Sequence, residues 1–179
     1  MKPTMTLLTA EQQELLDAFN KHVQAELQKD LDTTLATMTT SPHINNIPTL
    51  IGGVGSDGVK EFYRSMILEG KFFPPDTEMI PVSRTIDQYQ LVDEIIFKFT
   101  HTTEIGWMLP NIAPTGKQVA IPLIVIAGFF DGKVTHEHIY WDQASVLVQL
   151  GLIDPTGLPI NGVETAQKME ELRQHLQII

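Results

Sequence analysis

The chain has no cysteine, which excludes disulfides, cysteine-zinc sites and thiol nucleophiles together. Cations are scarce as well: 12 Lys and Arg stand against 22 Asp and Glu, for a formal charge of −10. Phosphate backbones and anionic lipid surfaces would be repelled, so neither nucleic acid nor membrane is an expected partner. No stretch approaches the ~18 apolar residues of a membrane span, and residues 1–9 form no apolar leader before Glu11. The expectation is a soluble, unprocessed, cytoplasmic protein. Internal repeats and low-complexity tracts are also missing. What is present is 179 residues, 42% hydrophobic and 19% charged, enough for one globular domain with a substantial core.

The first third reads as helix. Thr9-Ala10-Glu11-Gln12 has the form of a capping box, and Leu15, Leu16, Phe19, Val23 and Leu27 recur at helical spacing. A short second helix starts at Asp32, with Leu35 and Met38 inward, before the prolines at 42 and 48 enforce an extended segment. A third runs from about Asp57 to Leu68 on a stripe of Val59, Phe62, Tyr63, Met66 and Ile67. The period then becomes that of strands: 78–86, 91–105, 117–130 and 134–142 are separated by turn residues, as in an antiparallel meander. A helix follows Asp142, closed by Gly151, and a polar tail helix starts at Glu164. Helices packed on one side of a twisted antiparallel sheet make an α+β domain.

The most informative stretch is Asp131-Gly132 followed by a strand carrying His136, His138, Tyr140 and Asp142. An Asp-Gly pair between apolar runs is a strong hairpin signal. Strict alternation places those four residues on one face and Glu137, Ile139 and Trp141 on the other. By contrast, Gly53-Val54-Gly55-Ser56-Asp57-Gly58 spells a dinucleotide-binding fingerprint in the wrong context, since consecutive strands rather than βαβ units follow it. It reads as a turn into a helix capped by Ser56 or Asp57.

The order of elements, with Asn46-Ile47-Pro48, Gly58-Val59-Lys60-Glu61-Phe62-Tyr63, His101-Thr102-Thr103-Glu104, Pro114-Thr115-Gly116-Lys117, Asp131-Gly132-Lys133-Val134 and Gln149-Leu150-Gly151, resembles the SnoaL-like polyketide cyclases of the nuclear transport factor-like superfamily. The resemblance covers about residues 10–152, leaving 153–179 as a C-terminal extension of a single domain spanning 1–179. It implies a curved sheet forming a cone around a hydrophobic cavity, closed by the N-terminal helices, and a homodimer. It does not fix a reaction, because the superfamily hosts isomerases, cyclases, dehydratases, hydrolases and non-catalytic members.

Limonene epoxide hydrolases of that superfamily are similar at chemically useful positions. Their water-holding Asn-x-Pro corresponds to Asn46-Ile47-Pro48, and their strand-end Tyr-aromatic-Asp, whose Asp activates water, to Tyr140-Trp141-Asp142. Their acidic proton donor corresponds to Glu104, whereas Thr102 stands where they carry an arginine. The resemblance to the cyclases also puts an acid/base Asp in the last part of the sheet, at Asp142.

Each candidate has a plainer reading. Asp142 stands immediately before the helical run 144–150, where an ordinary N-cap belongs. Alternation of Ile95, Phe97 and Phe99 favours His101 over Glu104 as the inward group unless a bulge intervenes. His136 and His138 could share a metal, with a third ligand from His101, Glu104 or His43, but no spacing supports that set, and no metal or organic cofactor is expected. Trp107 and its apolar neighbours suit a cavity wall as well as ordinary core.

The sequence therefore predicts proton-transfer chemistry, as a cyclase, isomerase or hydratase, on a small apolar carbonyl-containing or cyclic molecule. Asp142 would move the proton, with His101 or Glu104 donating to the developing oxyanion and Asn46, His138, Tyr140 and Trp107 contacting substrate. The alternative is a non-catalytic ligand-binding or dimerising module on the same fold. Outward residues such as Ile96, Ile124 and Ile126 suggest a homodimer through the outer face of the sheet.

Overall fold

The computed structural model describes residues 8–176. Most of the segment read as lacking a leader lies outside them. Helix α1 (Ala10–Leu27) begins with the expected capping box: the Thr9 hydroxyl accepts from the Gln12 backbone amide, and the Gln12 side-chain oxygen accepts from the Thr9 backbone amide. Helix α2 (Leu31–Ala36) is capped by Asp30. Met38 opens strand β1 (Met38–Asn46), so the proline-bounded segment is part of the sheet. Strand β2 (Ile51–Val54) leads into α3 (Gly55–Leu68), whose cap position is Val54 without any side-chain bond, not Ser56 or Asp57.

Four longer strands follow: β3 (Glu78–Ile86), β4 (Gln90–Thr100), β5 (Gln118–Phe130) and β6 (Lys133–Trp141). They join β1 and β2 in one six-stranded curved sheet of order β2-β1-β6-β5-β4-β3. The meander β3 to β6 is antiparallel as expected, but β1 lies parallel to β6. That pairing brings residues 43–46 beside residues 136–139. Short helix α4 (Gln143–Gln149) and helix α5 (Glu164–Arg173) complete the chain.

The fingerprint-like glycines have a packing reason. A Cβ on Gly53 would lie 2.2 Å from the Gly58 carbonyl oxygen, so they let β2 and the first turn of α3 approach closely. Because β2 pairs antiparallel with β1, no βαβ crossover is built here.

Asp131 and Gly132 both have positive φ (51° and 67°), the type I′ geometry that matches strand twist. One residue later the β5–β6 ladder shifts: Phe129 faces Val134 while Gly128 faces His136, leaving Thr135 as an extra residue. This β-bulge resets alternation. Val134 and Glu137 are both buried on the core side, followed by Ile139 and Trp141, while His136, His138 and Tyr140 face outward.

The main core lies between the inner face of the sheet and helices α1 and α3, with Phe19, Tyr63, Phe97 and Trp107 among its large side chains. A second, smaller cluster forms on the outer face, where Ala166 of α5 covers Val82 and Ile96. Ile96 is thus buried by the chain's own C-terminal helix. Ile124 stays 39% exposed.

Candidate functional site

Between the helices and the inner face of the sheet lies a pocket of about 510 Å³. Phe19, Phe62, Phe72, Phe97 and Trp107 give it aromatic walls, and Ile95, Val125 and Ile139 form its floor on the sheet. Besides the amides of Asn20, Gln24 and Asn46, two groups of ionisable side chains interrupt this lining: Glu26, Tyr63 and Glu137 in one, Arg84 and Asp93 in the other. A mostly apolar concavity with a few convergent polar groups is the form of a small-molecule site.

The first group gathers three elements around a buried imidazole. α1 supplies His22 and Glu26, one helical turn apart; α3 supplies Tyr63; β6 supplies Glu137 through the reset alternation. His22 is fully buried. Its Nδ1 lies 2.6 Å from Thr37 Oγ1, and the Thr37 hydroxyl donates to the Thr34 carbonyl at 2.6 Å. The hydroxyl has only one hydrogen, so it accepts from His22 Nδ1–H, which fixes that ring nitrogen as a donor. Nε2 is therefore where a proton comes and goes. It faces Tyr63 Oη at 3.1 Å, Glu137 Oε2 at 3.4 Å and Glu26 Oε1 at 3.5 Å. Tyr63 donates to Glu26 at 2.6 Å, while Glu137 lies 3.3 Å from the same hydroxyl.

Burial alone would lower the pKa of His22, but the charges of Glu137 and Glu26 and their hydrogen bonds push it up to about 10. The imidazolium is thus the form present at neutral pH. Burial pushes Glu26 up, reinforced by the charge of Glu137 and opposed by His22. Tyr63 rises well above the usual phenol range, through burial and then the two carboxylates. Burial and neighbouring charges thus shift His22, Glu26 and Tyr63 together, as groups coupled through one set of contacts.

His22, Glu26 and Glu137 also have the composition of a metal site, with ligand atoms within 4.8 Å of one another. The Tyr63 hydroxyl, however, already lies 2.6–3.3 Å from an atom of each. It occupies the point a shared ion would need, so these residues do not fit a metal as arranged.

The candidates named from sequence are distributed differently. Asn46 and Trp107 line the pocket. Asn46 donates from Nδ2 to the Ile51 carbonyl at 2.9 Å, and the Trp107 indole donates to the Phe72 carbonyl at 2.7 Å. Asp142 is exposed and accepts from the Ser145 amide at 3.1 Å as the N-cap of α4. It does not line the pocket, because the strand has ended and the helix start claims its carboxylate. Asn46 thus lines the pocket, whereas Asp142 does not.

Glu104 lies on the surface in an ion pair with Lys71 at 2.9 Å, on the side that alternation favoured. His101 is buried beyond the end of β4, where its Nδ1 accepts from the Thr115 amide at 3.3 Å and meets the Thr115 hydroxyl at 3.2 Å; burial lowers its pKa. It does not reach the pocket lining either. His138 and Tyr140 are on the outer face. There His138 Nε2 contacts His43 Nε2 at 3.0 Å, and His136 stacks on His43 with ring centres 5.0 Å apart. His136 therefore lies over the sheet rather than in solvent. A Cβ on Gly128 would fall 2.1 Å from its ring, so the ring occupies the space a side chain would take.

Sequence reasoning missed His22, Glu26, Tyr63 and Glu137. A signal for Glu137 existed: it shares strict alternation with Ile139 and Trp141, the residues of β6 with most to gain from burial. For His22 and Glu26, an i, i+4 pair beside the apolar stripe of α1 was the available hint.

No family profile matches the chain, and no curated protein matches its sequence. Its structure is similar to solved ones. A protein assigned as a SnoaL-like polyketide cyclase from Jannaschia sp. CCS1 superposes with a TM-score of 0.65 at 14% identity, covering 83% of this chain and 99% of that one. TerC, co-crystallised with polyporic acid, gives 0.57 at 12% identity over 77% and 98% of the two chains. SalBIII, an epoxide hydrolase/cyclase-like enzyme with a role in pyran ring formation in salinomycin, gives 0.53 at 13% identity over 73% and 92%. The chain thus has the cone-shaped α+β fold that the SnoaL-like and nuclear transport factor-like proteins share.

Proposed function

We propose that the protein is a proton-transfer enzyme acting on a small, largely apolar carbonyl-containing or cyclic molecule, as an isomerase, cyclase or hydratase. The observation that carries this reading is the opening of the His22–Glu26–Tyr63–Glu137 cluster into an aromatic-walled pocket. Burying two carboxylates beside an imidazole costs more free energy than an apolar filling of the same volume. Concentrating shifted protonation equilibria at a cavity wall is what acid/base chemistry needs.

Glu137, rather than Asp142, takes the proton from a carbon next to a substrate carbonyl, and the bonding pair moves into the enolate. His22 Nε2 and the Tyr63–Glu26 pair redistribute charge behind it. Returning the proton to another carbon completes an isomerisation; attack of the enolate carbon on an internal carbonyl moves the C=O π pair onto oxygen, and that alkoxide takes the proton back from Glu137 to complete a ring closure. Trp107 and Asn46 border the substrate. A homodimer through the outer face, around Ile124, Ile126 and Tyr140, belongs to the same reading.

The test is deuterium incorporation into 2-tetralone, a compact enolisable ketone, followed by NMR in D2O. Wild-type protein should accelerate exchange over buffer, and Glu137→Gln should remove roughly 10²- to 10⁴-fold of that acceleration, the usual weight of a general base. Equal rates for the two proteins would refute the role of Glu137. A second reading, ligand binding without turnover, is favoured by one observation: every member of the cluster already has a hydrogen-bond partner within the protein.

A further inference from the structure

The second polar group of the pocket has no part in the proton transfer just described. Arg84 of β3 and Asp93 of β4 face each other in the ladder. Arg84 donates from Nε and Nη2 to the two carboxylate oxygens, both at 2.5 Å. This fork-on-fork arrangement fixes the guanidinium plane, and the Phe19 ring beneath it, 5.9 Å from Cζ, limits its movement further. Nη1 makes no hydrogen bond among the described residues, and Arg84 borders the pocket. Asp93 interrupts an otherwise apolar row of inward residues on β4: Leu91, Ile95, Phe97 and Phe99. An apolar pair at positions 84 and 93 would close the sheet at least as stably, since a desolvated ion pair adds little net stability.

The ladder also gives the separation of the two polar groups. Asp93 faces Val125, and Val125 faces Ile139, two residues along β6 from Glu137. With strands about 4.8 Å apart and a rise of about 3.4 Å per residue, Asp93 and Glu137 are about 12 Å apart at Cα, both pointing inward. Arg84 stands one strand beyond Asp93 but reaches back to it, so its guanidinium and the Glu137 carboxylate lie at opposite ends of a floor of Ile95, Val125 and Ile139. Groups separated by about two strand spacings leave room for a ligand of one to two fused six-membered rings between them.

We propose that Arg84, oriented by Asp93, is a specificity-determining anchor for an anionic or carbonyl oxygen, so that the preferred ligands are flat ring compounds oxygenated at both ends. This rests on the assignment of the pocket as the substrate site, and it adds the class of substrate. The arrangement would place the reacting carbon at Glu137 and the remote oxygen on Nη1. Remote contacts of that kind fix the reacting geometry.

Calorimetric titration with 6-hydroxy-2-naphthoate and with 2-naphthol tests this, because the two probes differ only in the carboxylate. Wild-type protein should bind the naphthoate at least about tenfold more tightly, the weight of one charge-assisted hydrogen bond. Arg84→Gln alone would strand Asp93, so the informative variant is the double replacement Arg84→Met with Asp93→Leu, which removes both charges together. It should lose the preference for the naphthoate and bind the two probes with equal affinity. Equal affinities in the wild type, no binding of either probe, or a preference that survives the double replacement would each overturn the inference. If Glu137→Gln leaves 2-tetralone exchange unchanged while the double replacement abolishes the preference, the proton-transfer reading fails and the anchor stands.

Discussion

His22 Nε2 and Glu137 Oε2 lie 3.4 Å apart, joining the first helix to the last strand in a buried ion pair at the pocket wall. Its strength is written in the protonation of His22. The proton held on Nε2 balances carboxylates from two separate elements, so the pair connects the helical cover of the pocket to its floor.

Stability should therefore depend on pH in a definite direction. His22 moves from 6.5 to about 10 on folding, so the folded state holds the proton more tightly than the unfolded chain. That stabilisation is complete below about 6.5 and is lost as pH rises toward about 10. Glu26, also raised, adds a decline of the same sign from a lower starting pH. Urea midpoints should fall steadily from about pH 7 to about pH 10, and far less so in His22→Gln. A flat wild-type profile across that window would show that His22 is not held as the imidazolium.

Asp142 and Glu137 can be separated by substitution. Asp142→Ala removes only the cap of α4 and should cost about 1 kcal/mol in stability, with the rate of 2-tetralone exchange unchanged. A loss of exchange as large as that of Glu137→Gln would return Asp142 to the centre of the chemistry.

Metal should be dispensable. The Tyr63 hydroxyl fills the middle of the one three-ligand group of Asp, Glu and His among the described residues. Protein purified without a histidine tag should carry no stoichiometric transition metal by elemental analysis, and EDTA should leave its melting temperature unchanged. About one zinc or iron per chain would overturn this and make metal-activated water the leading mechanism.

On the outer face, α5 covers Ile96, while Ile124 and Tyr140 each remain 39% exposed. Light scattering should give a dimer mass, and Ile124→Lys should shift it to the monomer, because a charge at the centre of a two-fold contact meets its own copy. A monomeric wild type would remove the dimer.

The helices and the four-strand meander were legible because their apolar periods are local properties: the Val59–Ile67 stripe and the Ile95–Phe99 alternation each announce a face. Strand β1 was seen only as an extended segment between prolines, because its pairing with β6 joins distant parts of the chain and leaves no local trace. Alternation along β6 grouped His136, His138 and Tyr140 on one face and Glu137, Ile139 and Trp141 on the other, and β6 has those two faces; the chemistry was assigned to the histidine face, whereas Ile139 and Trp141 decide which face is inward. Asn46 and Trp107, named as substrate contacts from the sequence, both line the pocket.

The bulge at Thr135 separates two demands on one short segment. The type I′ turn at Asp131-Gly132 fixes how many residues connect β5 to β6, while the pocket requires Glu137 to point inward with Ile139 and Trp141. By absorbing one residue, the irregularity lets both hold. Loop length and pocket chemistry can then change independently, and a single insertion or deletion near this turn need not exchange a carboxylate-lined interior for a histidine-lined one.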